Sequence, residues 1–466
     1  MQRTNAKKQS RITSGSVLSG MLFFAIPLIL SSILNRLFNT ADTLMVGRWG
    51  GDTVEECEHA LAAVGSCGAL IGAITALFSG LASGTSLVLS RQLGAKDEEG
   101  IKQTVSTSFC LSLVSGLICM CIGVCFAKPL LTAMGTDASL LNTAAAYMRV
   151  YYIGIPATLT YSFCAAMLTA TGDTVRPLMF LTLGGIVNVL LNALMIMVFR
   201  MGAVGVGLAT AITQYVFLIM ILIYMSRADI VCRIPWRRLR IHKQPLTEIL
   251  RISIPAGLQG TLIASSNVVA QASINAYGPA FIAGSTAAAN IETYLAVLHS
   301  GISQAGAVFV GQNVGAKNFA RVKRSLYIGV ALTVGIGFST GLISCLAAEP
   351  IVGLFCPNNA AAIQAGVLRA RVLLLVHFVY GMMVFGMSAL RGMGKSILPT
   401  ALMLMGCGAF RILWLTVYQT FFNGNPVVLF LVYPVSWILT ASAVYLSVLI
   451  VYRRVARANA DETEMG

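Results

Sequence analysis

The chain has 466 residues, of which 57% are hydrophobic and only 11% charged, with a mean hydropathy of +0.80. Soluble domains carry about 25% charged residues, so these figures exclude a soluble globular enzyme, a disordered chain and a fibrous protein, and leave a polytopic membrane protein. The formal charge of +15 would suggest nucleic acid in a soluble protein; here the basic residues sit at the ends of apolar runs, where they set membrane topology, and no nucleic-acid partner is expected.

In chain order, apolar runs occupy Val17–Val46, Leu61–Leu89, Val105–Phe126, Ala146–Ala170, Pro177–Met197 and Val204–Tyr224. After a polar gap they resume at Leu250–Tyr277, Phe281–Val310, Leu326–Ala347, Val367–Leu390, Ile397–Phe421 and Val427–Val451. The first run continues past any plausible cleavage point, which predicts a first span rather than a signal peptide. The runs lack the period-two alternation of a membrane barrel, so they predict twelve transmembrane helices in an all-α chain. With the N-terminus inside, 24 of the 32 basic residues fall on inner segments, beginning with Arg3, Lys7, Lys8 and Arg11; the outer loops hold only Arg48, Lys128 and Arg200. This asymmetry predicts cytoplasmic termini. Of the eleven cysteines most lie in apolar runs, none with CxxC spacing. Cys57 and Cys356 alone fall in expected outer loops and are the one pair that could form a bridge.

The polar segment Ser226–Thr247, basic and holding two prolines, separates six spans from six. The halves repeat. QLGAK at Gln92–Lys96 matches NVGAK at Asn313–Lys317, GDTVRP at Gly172–Pro177 matches GKSILP at Gly394–Pro399, and Ile26-Pro27 matches Ile254-Pro255. Six spans per repeat make the repeats parallel. The expected organisation is an N-lobe over 1–225, a basic linker over 226–247, a C-lobe over 248–453 and a cytoplasmic tail over 454–466. The linker could touch anionic lipid.

Ionisable groups at membrane depth are costly, about 2.5–3.5 kcal/mol for Asp on insertion scales, and are functional by default. Two acids stand out. Asp42 shares a helical face of the first span with Asn35 and Asn39, a spacing that predicts three polar groups turned inward. Glu292 heads a stripe with His299 and Ser303 in the eighth span. The repeat gives neither acid a counterpart, since the equivalent positions hold Ile71 and Ala270. Glu292 is read as a cation-attracting group of the second lobe, against pairing with an internal base such as Arg411. His299 and His377 are read as packing or hydrogen-bonded residues more than ligands. Asn188 with Asn192, and Thr210 with Gln214, are further i, i+4 polar pairs in the fifth and sixth spans. Pro27 and Pro255, inside the first span of each repeat, each remove a backbone hydrogen bond and are candidate hinges.

The chain resembles the multidrug and toxic compound extrusion (MATE) family. The residues that carry the resemblance are Asn39-Thr40-Ala41-Asp42-Thr43-Leu44-Met45-Val46-Gly47, the two Gly-Ala-Lys loops, Thr171-Gly172-Asp173 with Pro177, Gly205-Val206-Gly207-Leu208-Ala209-Thr210 and Ala389-Leu390-Arg391-Gly392-Met393-Gly394. The resemblance implies two six-helix lobes around a V-shaped cleft, and cation-coupled efflux of cationic or amphipathic drugs across a bacterial or archaeal plasma membrane by a monomer. It also implies a cation site of Asp42, Asn188, Asn192 and Thr210, with Asn35, Asn39, Gln214, Glu292 and His299 lining the cleft. Asn192 stands where other members have Asp, which removes one charge. Near Ile263 and Tyr380, where some relatives place sodium-binding acids, this chain has none. No cofactor is expected beyond a coupling proton, or else sodium. The alternative is a lipid-linked precursor flippase of related fold; such relatives often add spans and line the cleft with basic residues. No P-loop, metal cluster or nucleophile motif supports an integral-membrane enzyme.

Overall fold

The computed structural model describes residues 12–228, 230–357, 359–422 and 424–465, with side chains except at 69, 73–79, 260–269 and 460–465. Arg3, Lys7, Lys8 and Arg11 lie outside the described residues, and Ile263 lies among those whose side chains are not described. All regular structure among the described residues is helical. The first half runs α1 (Val17–Trp49), α2 (Val54–Ala95), α3 (Glu98–Cys125), short α4 (Ala127–Ala133), α5 (Leu141–Ile153), α6 (Ile155–Ala170), α7 (Val175–Ala193) and α8 (Gly202–Arg227). The second half runs α9 (Lys243–Asn275), α10 (Pro279–Gly315), α11 (Phe319–Leu346), short α12 (Ala348–Phe355), α13 (Ala360–Leu373), α14 (His377–Gly392), α15 (Ile397–Met403), α16 (Phe410–Phe421) and α17 (Pro426–Met465).

Eight helical segments are each long and apolar enough to cross a membrane, counting α7 and α15–α16 with the π turns Leu194–Val198 and Leu404–Ala409. Two bent pairs raise the number to ten: α5–α6, turned by 42°, and α13–α14, turned by 49°. The 42 residues of α2 and the 33 of α9 bring the helical passes to twelve. The chain is thus a multi-pass membrane protein.

The internal repeat is visible in local geometry. Lys96 and Lys317 both adopt positive φ, 56° and 54°, at the end of the Gly-Ala-Lys loops. The next residue then caps the following helix in each half. Asp97 accepts from Gly100 N at 2.9 Å, and Asn318 accepts from Arg321 N at 3.1 Å. Either side chain satisfies one of the first orphan amides of its helix, so the cap survives although the charge differs. Gly172 and Gly394, equivalent in the repeat, both turn the chain out of a helix at φ 95° and 85°, where a side chain would be strained.

The chain divides into two compact units. Among the described residues, one comprises 30–93 and 97–253; the other comprises 12–29, 94–96 and 254–465. Apart from the short 94–96 segment, the divisions fall inside α1, two residues after Pro27, and inside α9, next to Pro255. Both candidate hinges therefore lie within two residues of a division along the chain, within helices that continue through the proline. Inside each unit the packing depends on small residues, because burial against lipid supplies little net drive and close backbone approach supplies dispersion instead. In the first unit a Cβ on Gly123 would overlap the fully buried Tyr152 ring. In the second, Gly306 of α10 and Gly329 of α11 both abut the buried Phe385 ring of α14.

All eleven cysteines are free. The expectation that Cys57 and Cys356 occupy outer loops is corrected for Cys57, which lies in the first turns of α2, is buried, and donates to Gly51 O at 3.4 Å. Cys356 caps the C-terminus of α12 and carries no bridge either.

Candidate functional site

In the first unit, α1 is seated on α7 by one contact of shape. A Cβ on Gly185 would overlap the Phe38 ring, so only glycine there lets α1 approach this closely. One turn further along α1 comes Asp42, and one to two turns further along α7 come Asn188 and Asn192. The three meet. Asn192 Nδ2 donates to Asp42 Oδ1 at 2.5 Å and to Asn188 Oδ1 at 3.2 Å. Both asparagines are buried. The π turn Leu194–Val198 begins immediately after this pair, a break in helical register that is common beside functional groups. Val46 and Ile196, one turn on from Asp42 and Asn192, pack with Ala203 and Val206 in a buried apolar cluster.

Two features give this cluster its chemistry. No basic side chain pairs with Asp42 among the described residues, so its charge is met only by a neutral amide. The buried Asn192 Oδ1 accepts no hydrogen bond in the same frame. A carboxylate and an idle carbonyl oxygen side by side have the chemistry to accept a proton or a small cation. Asn192 donates to the ionised acid; with its amide turned over it can accept from the protonated one.

Other predicted members stand apart. Asn35 and Asn39 are exposed, and the Asn39 amide donates to Asn35 O at 2.8 Å on its own helix, so the expected inward polar face contributes Asp42 alone to this network. Thr210 and Gln214 on α8 are half-buried, with no side-chain hydrogen bond to another described residue. The structure adds Tyr147 and Tyr151 of α5, rings 6.0 Å apart, both within electrostatic range of Asp42. Their i, i+4 spacing inside an apolar run was the available sign; a search centred on acids passes over phenols.

In the second unit, Glu292 of α10 is held by Arg369 of α13, and the expectation of a free, cation-attracting carboxylate is corrected. Arg369 Nε lies 2.7 Å from Oε1 and Nη2 lies 3.1 Å from Oε2, a bidentate pair, while Nη1 donates to Ser285 Oγ at 2.8 Å. The guanidinium also faces the Phe430 and Tyr433 rings, each at 5.6 Å. Arg411, the base named as the alternative partner of Glu292, donates to Ser436 Oγ at 3.0 Å and covers Tyr433 at 4.7 Å. A planar guanidinium matches a carboxylate at two points, so both oxygens of Glu292 are occupied. His299 stacks on His377 at 5.3 Å, and Tyr380 and Trp437 continue the ring contacts. This agrees with packing histidines. Both ring nitrogens of His299 lack a hydrogen bond among the described residues, as do the buried hydroxyl of Ser303 and Nδ1 of His377. Among the described residues no three His, Cys, Asp or Glu side chains converge as a metal site.

Comparison with known proteins follows the same two halves. The sequence pattern of the MatE family matches residues 27–194 and again 255–417. The probable multidrug resistance protein YoeA of Bacillus subtilis (strain 168) is 26% identical over 397 residues, covering 83% of this chain and 84% of its own. The multidrug export protein MepA of Staphylococcus saprophyticus is 22% identical over 384 residues, covering 82% and 83%. The MATE transporter VcmN of Vibrio cholerae, solved in a bent form, superposes with a TM-score of 0.85 at 20% identity, covering 97% of this chain and 99% of its own. The twelve helical passes and the paired loops are the MATE fold, and with the family pattern present in both repeats over most of the sequence, the chain belongs to the MatE family.

Proposed function

We propose that this chain is a secondary active exporter that expels cationic and amphipathic drug-like compounds in exchange for protons by alternating access. The observation that carries the reading is Asp42, an acid inside the first unit met only by the Asn192 amide. Such a group takes a proton or a cation in turn, and competition between them is what couples export to a gradient. The relatives named for multidrug resistance and multidrug export support the substrate class. The asymmetry of basic residues supports cytoplasmic termini in a bacterial or archaeal plasma membrane. We take the transporting unit to be a monomer.

The ligand set favours protons over sodium. One carboxylate with neutral amide oxygens is a weak sodium site, because dehydration of the ion must be offset by strong oxygen ligands. Glu292 is the second acid that could supply one, and both its oxygens are engaged by Arg369. Protein in vesicles with a cationic dye tests this. An imposed proton gradient without sodium drives export, and a sodium gradient at uniform pH does not. The reverse result overturns proton coupling, and absence of dye movement under either gradient overturns export of cations.

A further inference from the structure

The segment between α8 and α9 is a strap with two different faces. Cys232 and Ile234 are buried in the apolar cluster of α2, α3, α6 and α8. Trp236 sets its edge on Phe109 at 5.4 Å and donates from Nε1 to Ser226 Oγ at 2.9 Å. Further along, Ser106 Oγ donates to Arg240 O at 2.8 Å, and His242 N donates to Thr107 Oγ1 at 2.9 Å. The strap is therefore held on both sides of Trp236, by burial of Cys232 and Ile234 before it and by hydrogen bonds to Ser106 and Thr107 of α3 after it, with an inner face that is apolar.

Its outer face combines two chemistries. Arg227, Arg233, Arg237, Arg238, Arg240 and Lys243 are all exposed, and none pairs with an acid among the described residues. The one acid of the segment, Asp229, lies outside the described residues. Between these charges Val231, Trp236 and Ile241 are each about half exposed. The face also adjoins an exposed apolar stripe of α8, since Ile219 and Ile223 are exposed at i and i+4 and Arg227 follows at i+8. A purely topological signal needs only the charges. A partner that is acidic and water-soluble has no use for half-exposed Val, Trp and Ile at a membrane edge. Anionic phospholipid uses both, with phosphates on the guanidinium groups and the indole at headgroup level.

We propose that the strap 230–242 is a binding site for anionic phospholipid, with Arg233, Arg237, Arg238 and Arg240 taking headgroup phosphates around Trp236. The inference rests on the reading that this end of the chain faces the cytoplasm. Its test does not depend on transport or on sidedness. The 466-residue chain is placed in nanodiscs of mixed phosphatidylglycerol and phosphatidylcholine, with one or the other lipid dibrominated near the headgroup, and tryptophan quenching is recorded. The part due to Trp236 is obtained by difference from W236F. Each basic residue at an anionic surface contributes about fivefold to local lipid affinity. Quenching of Trp236 by the brominated anionic lipid is therefore expected to exceed that by the zwitterionic lipid several-fold at equal mole fraction. The ratio falls to about one in R233Q/R237Q/R238Q/R240Q, provided the variant's melting temperature stays unchanged. If that variant unfolds, the wild-type ratio at about 1 M salt serves instead, where the Debye length is about 3 Å and the preference should vanish. Equal quenching by both lipids in the wild type overturns the proposal, as does a preference that survives loss of the four arginines.

Discussion

Replacement of Asp42 by Asn separates folding from coupling. The side chains are of the same shape. Asn192 Nδ2, now 2.5 Å from Asp42 Oδ1, can keep donating to the new amide oxygen. The idle Asn192 Oδ1 is an alternative acceptor for the new amide if the pair turns over. What is lost is the charge assistance of one hydrogen bond, the difference between about 1.5–3 kcal/mol for a charged bond and about 0.5–1.5 kcal/mol for a neutral one. A cost of about 1 kcal/mol is well inside the stability of most folded proteins, about 5–15 kcal/mol, so the variant should insert and fold. Coupling should vanish, because an amide neither takes up nor releases a proton. With one proton entering per monovalent cation expelled, no net charge moves, and a one-unit pH difference supplies about 1.4 kcal/mol, about a tenfold concentration ratio. In vesicles with a cationic dye, the wild type should approach that ratio and Asp42→Asn should stay at the equilibrium value of one. A variant that still concentrates the dye against its gradient refutes the assignment of Asp42.

Asn192→Asp places a second carboxylate beside the first, where two like charges cannot both ionise without a cation between them; sodium chloride, compared with choline chloride, should raise the melting temperature of the variant and leave the wild type unmoved. Glu292→Gln removes the partner of a buried guanidinium and should cost about 3–5 kcal/mol in stability, while the paired change Glu292→Gln with Arg369→Met should recover most of it in a thermal melt. Losses of transport in Glu292→Gln should be equal for cationic and neutral substrates; a loss confined to cations would restore a direct role. Phe385→Ala should cost about 3–5 kcal/mol by opening a cavity between α10 and α11, read as a lowered melting temperature. Oxidation should not create a fast-migrating internal cross-link on a non-reducing gel.

The spans were legible because apolar runs of this length admit one interpretation in a membrane. Their ends were less so. The second run was read from Leu61, yet α2 begins at Val54, since Glu55, Glu56 and Glu58 ride on a helix that continues beyond the apolar stretch. The bends were hidden as well. Hydropathy reads Ala146–Ala170 as one run, whereas the helix breaks at Gly154, where a Cβ would crowd Ala211 of α8; Pro156, at the start of the next helix, was the one local sign. Asp42 could be found because an acid inside an apolar run is rare, and its asparagine partners because they repeat at i, i+4. Helical spacing says which groups share a face, not which of them meets a neighbour, and of Asn35, Asn39 and Asp42 it is Asp42 that bonds across to α7. The partner of Glu292 was out of reach for the same reason. Arg369 and Arg411 both lie in spans, and only the packing of α13 on α10 decides between them.

The slot that holds Phe385 bears on how this protein tolerates change. Its walls are two absent side chains, Gly306 and Gly329, contributed by helices that neighbour one another in sequence and in space. A vacancy of this kind cannot relax as a flexible side chain does, since any added carbon meets an aromatic ring already fixed in place. Tolerance should therefore run opposite to that of a soluble enzyme. Lipid-facing leucines and isoleucines are freely exchangeable for one another, while glycine to alanine, usually among the mildest of replacements, is among the harshest at these positions. A saturation library scored for surface expression would show the interior of this transporter as a pattern of residues that must stay small.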